Sequence, residues 1–405
     1  MEYQKHVLRG LSWIGGFRFL TRLLVFGKTA VLARVLLPAQ FGVFGIAGLV
    51  LEFLEILTET GVNVFLIQEK DQIDEYIDTS WVVSIIRGIL ISLLILFATP
   101  FVVNFFHSPA SKDTLFLISL VPFIRGFINP SVVKFRKELA FNKEFWYRSA
   151  IFIIETIFTI VLAIFTHSAV SLVWGLIAGA FLEAVSSYFI VKPIPAFKFN
   201  LDLSKEIVSR GKWVTGAGFF NYLFGNVDDI LVGRILGVSS LGLYQVAYRI
   251  STYPVTEVAS VFGNVTFPVY AKISNDIKKL KEAFFKMSLW VALLVIPFGL
   301  LIFFFAKEIV VFILGPKWIE AVDVLKVLSI FGIIKAVTDP AYSLFLAVKK
   351  QKYLTISTLA GIIGLAIVIF PLVSKYGIVG AGISAIVGTA VTVPFIIFFI
   401  IKILK

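Results

Sequence analysis

The sequence lacks cysteine altogether and has only three histidines, His6, His107 and His167. Without thiols, disulfide bonds, thiol catalysis and thiolate metal sites are excluded. The histidines fall at or beyond the ends of apolar segments, and their spacing is not that of a metal site. We therefore expect interfacial histidines, no metal, no cofactor and no conventional enzyme chemistry.

Charge is scarce as well, because Asp, Glu, Lys and Arg make up 15% of the chain whereas 59% of it is hydrophobic. A soluble domain is about a quarter charged. The apolar residues form runs such as GILISLLILFATPFVVNFF, close to the roughly 20 residues with which a helix crosses a bilayer. The first run, 11–37, is too long for the apolar core of a cleaved signal peptide. This composition predicts an all-α, polytopic membrane protein.

Charged residues, prolines and glycines divide the chain into twelve predicted spans, six on each side of a polar linker at 192–212. We expect an N-terminal six-helix lobe at 1–191 and a C-terminal six-helix lobe at 213–405. The predicted spans are 11–37, 41–67, 80–106, 113–133, 149–166, 169–191, 213–237, 241–269, 284–306, 319–348, 353–374 and 378–401. The loops on one side are only a few residues long, which argues against a membrane glycosyltransferase or polysaccharide polymerase.

The same phrase occurs in both halves, as ARVLLPAQFGVF from position 33 and GRILGVSSLGLY from position 233. Arg34 corresponds to Arg234, and Gly42 to Gly242, without a gap. Repetition at a fixed offset indicates an internal duplication. Six spans per lobe make the repeat parallel, with a pseudo-two-fold axis along the membrane normal. We interpret the four residues as parts of a tight outer hairpin that is present twice.

Lys and Arg are distributed unevenly over the predicted loops. With the N-terminus inside, the inner segments hold 23 of them and the outer segments only 4. This bias predicts that both termini are cytoplasmic. Because the basic residues are spread over several loops rather than gathered in one patch, nucleic acid is not an expected partner.

Ten basic and nine acidic residues fall inside the predicted spans. Each one costs about 2.5–3.5 kcal/mol if it is left alone in lipid. We therefore expect these side chains to face one another or a water-filled cavity between the lobes.

Positions at equal depth in the predicted helical hairpins suggest partners for these charges. The pairs are Arg22 with Glu55, Arg18 with Glu59, Lys28 with Glu52, and Asp228 or Asp229 with Arg249. Lys335 and Asp339 also lie one turn apart in one span. Two interpretations remain open: structural ion pairs, or a cavity wall whose pairs open to bind an anion or to take up a proton.

Arg125 lies in the predicted span 113–133, between Pro122 and Pro130. Two prolines predict a span that is broken near its centre. An arginine beside such a break is suited to hold an anion through its planar fork. The alternative is an ion pair with Glu155 or Glu183 on another helix.

Three stretches resemble a known family: LARVLLPAQFGVFGIA, NPSVVKFRKELAF and FGNVDDILVGRILGVSSLGLYQVAYRI. They are similar to segments of the Wzx-type polysaccharide flippases of the multidrug/oligosaccharidyl-lipid/polysaccharide (MOP) exporter superfamily, whose fold is MATE-like. The resemblance implies a V-shaped transporter of the cytoplasmic membrane that works by alternating access. Its substrate would be an undecaprenyl-diphosphate-linked oligosaccharide, such as an O-antigen or exopolysaccharide repeat unit, moved from the inner to the outer leaflet.

Site residues and partners are expectations that follow from this resemblance and from the intramembrane charges. The substrate-binding candidates are Arg125, Arg18, Arg22, Lys28, Arg249 and Lys335. The ion-coupling candidates are Glu52, Glu55, Glu59, Asp228, Asp229 and Asp339. Further expected partners are membrane lipid, a polysaccharide polymerase and a chain-length regulator, and we expect a monomer.

Three alternatives stay open at this point. A cation-coupled multidrug exporter of the same superfamily relies on acidic cavity residues, whereas the first span here has three cations and no acid. A lipid II flippase usually has fourteen spans rather than twelve. A non-transporting scaffold protein would have little use for so many charged residues within the predicted spans. The energy source, whether proton, sodium ion, membrane potential or removal of the product, also stays open.

Overall fold

Helices joined by turns and short loops make up the part of the chain that the structure describes, and no strand occurs in that part. The computed structural model describes residues 2–68 and 73–405. It describes their side chains except at 2–12, 14, 63–64, 68, 206–217, 220–221, 224 and 264–265. Contacts divide the chain into two compact units, Met1–Asn226 and Val227–Lys405. The division falls inside a long helix, Leu201–Leu236. This helix begins within the predicted linker, so that only 192–200 of the linker is free of helix.

The first unit is organised around two groups of packed helices. One group has α1 packed along α8 and α8 along α9, and the other has α4 packed along α6 with α2 and α5 beside it. The apolar core of this unit includes Leu51, Ile95, Leu115 and Ile177, which come from four different helices. The helices are α1 (Glu2–Val35), α2 (Pro38–Leu57), α3 (Val62–Gln68), α4 (Asp74–Phe105), α5 (Ser111–Ile118), α6 (Leu120–Gly126), α7 (Lys134–Lys137), α8 (Phe141–Thr166), α9 (Val170–Ile190) and α10 (Leu201–Leu236).

The second unit is centred on α14, which packs against α11, α12 and α15. Its core includes the aromatic residues Tyr270, Phe345 and Phe399. The helices are α11 (Val238–Ile273), α12 (Ile277–Phe304), α13 (Ala306–Ile309), α14 (Val322–Ala347) and α15 (Gln351–Leu404). Gly377 has a φ of 60° and divides α15 into two helices, close to the predicted break between 374 and 378.

The repeated phrase forms the same hairpin in each unit. In the first, α1 ends at Val35 and α2 begins at Pro38. In the second, α10 ends at Leu236 and α11 begins at Val238, after Gly237 with a φ of 84°. Glycine adopts this left-handed backbone without steric cost. The two hairpins therefore occur at the offset of 200 that the repeat predicts.

The four residues singled out in the repeat lie in these hairpins. Gly42 and Gly242 are buried, Arg34 is exposed and Arg234 is half-buried. Both arginines make contacts with other residues. Their contribution to hairpin stability stays a prediction.

The predicted break of the fourth span is confirmed, but it lies after Arg125 rather than at the centre of the span. Ser111–Gly126 and Pro130–Lys137 meet at an angle of 74° across 127–129. Asn129 fixes the bend, because its side chain accepts a hydrogen bond from the Ser131 backbone N–H at 2.9 Å and donates to the Pro193 carbonyl at 3.0 Å. The Ser131 hydroxyl donates to the same carbonyl at 2.9 Å. Arg125 thus lies in the last turn of α6, immediately before a bend that these hydrogen bonds stabilise.

The apolar character of the helices agrees with a membrane protein. Among the described residues, six helices are long and apolar enough to cross a membrane, or seven if the bent segment counts as one span. One of the six is α15, which contains the break at Gly377. The all-α, polytopic class is confirmed, whereas the number of twelve crossings stays a prediction.

Candidate functional site

A charged cavity of about 230 Å³ lies within the first unit. Its walls come from α2, α4, α6, the bent segment after α6, α8 and α9. Four arginines and four glutamates line it: Arg87, Arg125, Arg136, Arg148, Glu55, Glu59, Glu144 and Glu183. Most of these charges fall within or beside the apolar helices, where single charges are expensive. The cavity is therefore a candidate site for a polar ligand.

One end of the cavity holds an ion-pair network between α2, α4 and α6. Arg125 Nη1 lies 2.8 Å from Glu55 Oε1, with the two side chains 40% and 32% exposed. Arg87 Nη2 donates to the Glu55 carbonyl at 2.6 Å and pairs with Glu59 Oε2 at 3.2 Å. Arg87 Nε also donates to the Thr58 hydroxyl at 3.3 Å. Arg125 and Glu55 are thus paired and open to the cavity at the same time.

The other end holds a second network, which the sequence analysis missed. Glu144 Oε1 accepts from Arg136 Nε and from Arg148 Nε, both at 2.8 Å. These residues were assigned to a cytoplasmic loop, because the fifth span was predicted to begin at 149, whereas α8 begins at Phe141. The spacing of Glu144 and Arg148 by four residues is a helical ion-pair signal that points to the earlier start.

Lys28 pairs with Glu155, at 3.0 Å between Nζ and Oε1, and not with Glu52 as predicted. The two side chains are only 15% and 13% exposed. The prediction was wrong because α1 packs along α8 in the described part of the chain, so that Lys28 faces a different helix from the one predicted. Lys28 does not line the cavity of the first unit, and its pairing is that of a structural residue.

The other predicted pairs between α1 and α2 are also wrong. Glu55 pairs with Arg125 instead of Arg22, and Glu59 with Arg87 instead of Arg18. The side chains of Arg18, Arg22 and Glu52 are exposed on the surface of the unit. Their predicted roles in binding and coupling stay predictions.

The second unit has its own polar cluster on α10, α11 and α14. Asp228 is buried and accepts a hydrogen bond from the Tyr244 hydroxyl at 2.6 Å. The predicted pairing of Asp228 with Arg249 is therefore wrong, because a neutral phenol on the neighbouring helix satisfies the carboxylate. Arg249 forms no ion pair with any residue that the structure describes. Asp229 donates its backbone N–H to Asp228 Oδ1 at 3.1 Å.

Lys335 and Asp339 contribute to this cluster from α14. Lys335 Nζ donates to the Tyr248 hydroxyl at 3.5 Å and lies 5.5 Å from the centre of the Phe331 ring. It interacts electrostatically with Asp228 and Asp339 without direct ion-pair contact. Asp339 lies against Gly263 of α11, where an added Cβ would come 3.1 Å from Oδ2. The cluster contains carboxylates that can bind a cation or proton, with an ammonium group close by.

Within the described side chains, no group of three histidines or carboxylates has the arrangement of a metal site. The described side chains of both clusters offer ionic and hydrogen-bonding contacts to a ligand.

The fold is that of the MATE-like transporters. The chain aligns with the lipid II flippase MurJ in an inward closed conformation, with a TM-score of 0.77, 16% identity and coverage of 96% of this chain and 88% of that one. An inward-facing MATE family multidrug transporter of the MOP superfamily aligns with a TM-score of 0.69, 14% identity and coverage of 95% and 94%. At these identities the comparison establishes the architecture.

Sequence comparison then places the chain in a family. Residues 31–323 match the profile of the family described as polysaccharide biosynthesis protein, and the chain belongs to it. The teichuronic acid biosynthesis protein TuaB of Bacillus subtilis is 26% identical over 351 residues, which cover 85% of this chain and 71% of that protein. The lipopolysaccharide biosynthesis protein WzxC of Escherichia coli is 24% identical over 353 residues, covering 86% and 71%. The resemblance that the three sequence stretches suggested is confirmed.

Proposed function

We propose that the protein is a flippase that moves an undecaprenyl-diphosphate-linked oligosaccharide from the inner to the outer leaflet of the cytoplasmic membrane by alternating access. Membership of a polysaccharide biosynthesis family supports the substrate class, and the MATE-like architecture supports transport rather than catalysis. The uneven distribution of Lys and Arg supports an orientation with both termini in the cytoplasm. A polymerase and a chain-length regulator would act on the translocated product.

The observation that carries the proposal is the Arg125–Glu55 pair on the wall of the cavity. The pair is close, at 2.8 Å, yet both side chains remain about a third exposed. A phosphate oxygen can replace the carboxylate as the acceptor, since the planar guanidinium group of arginine donates paired hydrogen bonds to either group. This exchange keeps Arg125 paired with an anionic acceptor in both states, and the released Glu55 carboxylate is exposed enough to be solvated in the cavity. Arg125 therefore acts as a reversible holder for the diphosphate.

A cation-coupled drug exporter is the second candidate, and the four glutamates of the same cavity favour it. Carboxylates hold cationic drugs, whereas arginines repel them. The three carboxylates Glu55, Glu59 and Glu144 are already paired with arginines. This pairing lowers the negative charge that is available to a cation and favours the flippase.

Complementation of a flippase-deficient strain tests the proposal. The wild-type protein should restore surface polysaccharide, and Arg125→Ala should abolish the restoration at equal expression. Arg125→Lys should restore it in part, because it keeps the charge but loses the fork. Lys112→Ala, at an exposed lysine in the first turn of α5, is the matched control and should behave as wild type. Wild-type resistance to cationic dyes without polysaccharide would favour the exporter instead.

A further inference from the structure

The second charged network holds two arginines on a single carboxylate oxygen. Arg136 comes from α7 and Arg148 from the second turn of α8, and both donate through Nε to Glu144 Oε1 at 2.8 Å. Glu144 is buried. One carboxylate thus fixes the position of two guanidinium groups that approach from different segments.

The charges in this network do not balance. Two guanidinium groups face one carboxylate, so that the three side chains carry a net positive charge. Each arginine uses its Nε toward Glu144, and its Nη groups have no hydrogen-bond partner among the described residues. The arginine side chains are 54% and 36% exposed, although both line the cavity. Glu183 also lines the cavity but forms no ion pair with either arginine.

The arginines are held in place before any ligand arrives. The bend at 127–129, which sets the direction of α7, is stabilised by the hydrogen bonds of Asn129 described above. Two further side chains donate hydrogen bonds to the Phe127 carbonyl. These donors are Trp81 Nε1 at 3.3 Å and the Tyr188 hydroxyl at 2.5 Å. Arg148 lies on a regular helix, four residues after Glu144. Preorganised donors bind an anion without the entropic cost of collecting flexible side chains.

We propose that Arg136 and Arg148 form an anion site that binds the phosphate groups of the lipid-linked substrate, with Glu144 as the residue that positions both arginines. Two guanidinium groups with outward Nη atoms match the several oxygens of a diphosphate better than a single carboxylate. The site is separate from the Arg125–Glu55 pair, and the two lie on opposite sides of the bend. The substrate identity, but not the anion chemistry, rests on the proposed function. Phosphate on a phospholipid headgroup shares the chemistry and is distinguished by experiment.

Native mass spectrometry of the purified protein, titrated with undecaprenyl phosphate, tests the site. Arg136→Gln with Arg148→Gln should weaken binding about tenfold or more, since each removes a charge-assisted hydrogen bond. Glu144→Gln should strengthen binding, because it removes the internal competitor and retains an acceptor for the arginines. Lys143→Gln, at the exposed neighbour of Glu144, is the matched control and should bind as wild type.

The signs of these effects separate binding from a structural role. If Arg136 and Arg148 only stabilised the fold, all three network substitutions would lower binding together with thermal stability, and the proposal would be wrong. Should the glutamine variants unfold, competition of undecaprenyl phosphate by inorganic pyrophosphate on Arg125→Ala, which lacks the other proposed phosphate contact, decides, and absence of competition refutes the site. Equal binding of phosphatidylglycerol would assign the site to phospholipid headgroups and overturn the substrate assignment.

Complementation separates this inference from the proposed function. If the wild type restores surface polysaccharide and the double glutamine variant does so equally, with unchanged binding, the site is refuted and the flippase stands. If the wild type binds undecaprenyl phosphate through these arginines but never restores polysaccharide, the site stands and the flippase is refuted.

Discussion

Replacement of Lys28 by Met breaks the most enclosed ion pair that the structure describes between α1 and α8. Its Nζ lies 3.0 Å from Glu155 Oε1, and the side chains are 15% and 13% exposed. On the other side, a Cβ at Gly179 of α9 would meet Glu155 Oε2 at 2.9 Å. The carboxylate is therefore enclosed by three helices, and after the substitution no cation would replace Lys28.

The magnitude follows from the attraction that is lost. At 3.0 Å and an effective dielectric constant of 20, this attraction is about 5.5 kcal/mol. Removing one partner of a buried ion pair costs about 3–5 kcal/mol, because the remaining charge is left without a counter-ion. Lys28→Met should therefore destabilise the protein by about 3–5 kcal/mol.

Denaturant or thermal unfolding of the purified protein, followed by tryptophan fluorescence, measures this loss. Adding Glu155→Gln to Lys28→Met should recover most of the stability at pH 7, because it removes the isolated charge. Lys326→Met is the matched control: its 3.9 Å pair with Asp323 is exposed and contributes well under 1 kcal/mol. A loss no greater than that of the control, or a double variant no better than the single one, would refute the reasoning.

Three further substitutions test the architecture by the same unfolding measurement. Gly88→Ala should lower stability by about 1–3 kcal/mol, since its Cβ would overlap the Pro122 carbonyl oxygen, and unchanged stability would mean that α4 and α6 are farther apart. Asn129→Ala should cost about 1–2 kcal/mol through the loss of its cap and carbonyl contacts, and should weaken complementation as the bend loosens. Tyr244→Phe should cost about 1.5–3 kcal/mol by removing the 2.6 Å donor to buried Asp228, and a neutral result would contradict that hydrogen bond.

The long apolar runs of the chain, and the charged residues, prolines and glycines between them, were sufficient to predict the fold class and most helix positions. The predicted tenth span, 319–348, corresponds to Val322–Ala347, and the break predicted between the last two spans corresponds to Gly377. The paired hairpins were predictable because each turn leaves a local signature, Pro38 in the first and Gly237 in the second.

The ion pairs were not predictable in the same way. Depth along a helix follows from residue number, but the direction of a side chain also depends on rotation and on the neighbouring helix. Lys28 meets Glu155 because α1 packs along α8, a tertiary contact with no local signal. Glu144 and Arg148 were missed for another reason. Charged residues mark the breaks between the predicted spans, and this criterion excludes the charged first turns of the helix that begins at Phe141.

The central claim is that arginines inside the first unit carry an anionic, lipid-linked headgroup across the membrane. The most direct measurement is translocation of a fluorescent polyprenyl-diphosphate saccharide between the leaflets of proteoliposomes, read by a membrane-impermeant quencher. Wild-type protein should move it faster than protein-free vesicles and faster than Arg125→Ala, with Lys112→Ala equal to wild type. Equal rates for the wild type, Arg125→Ala and empty vesicles would contradict the account.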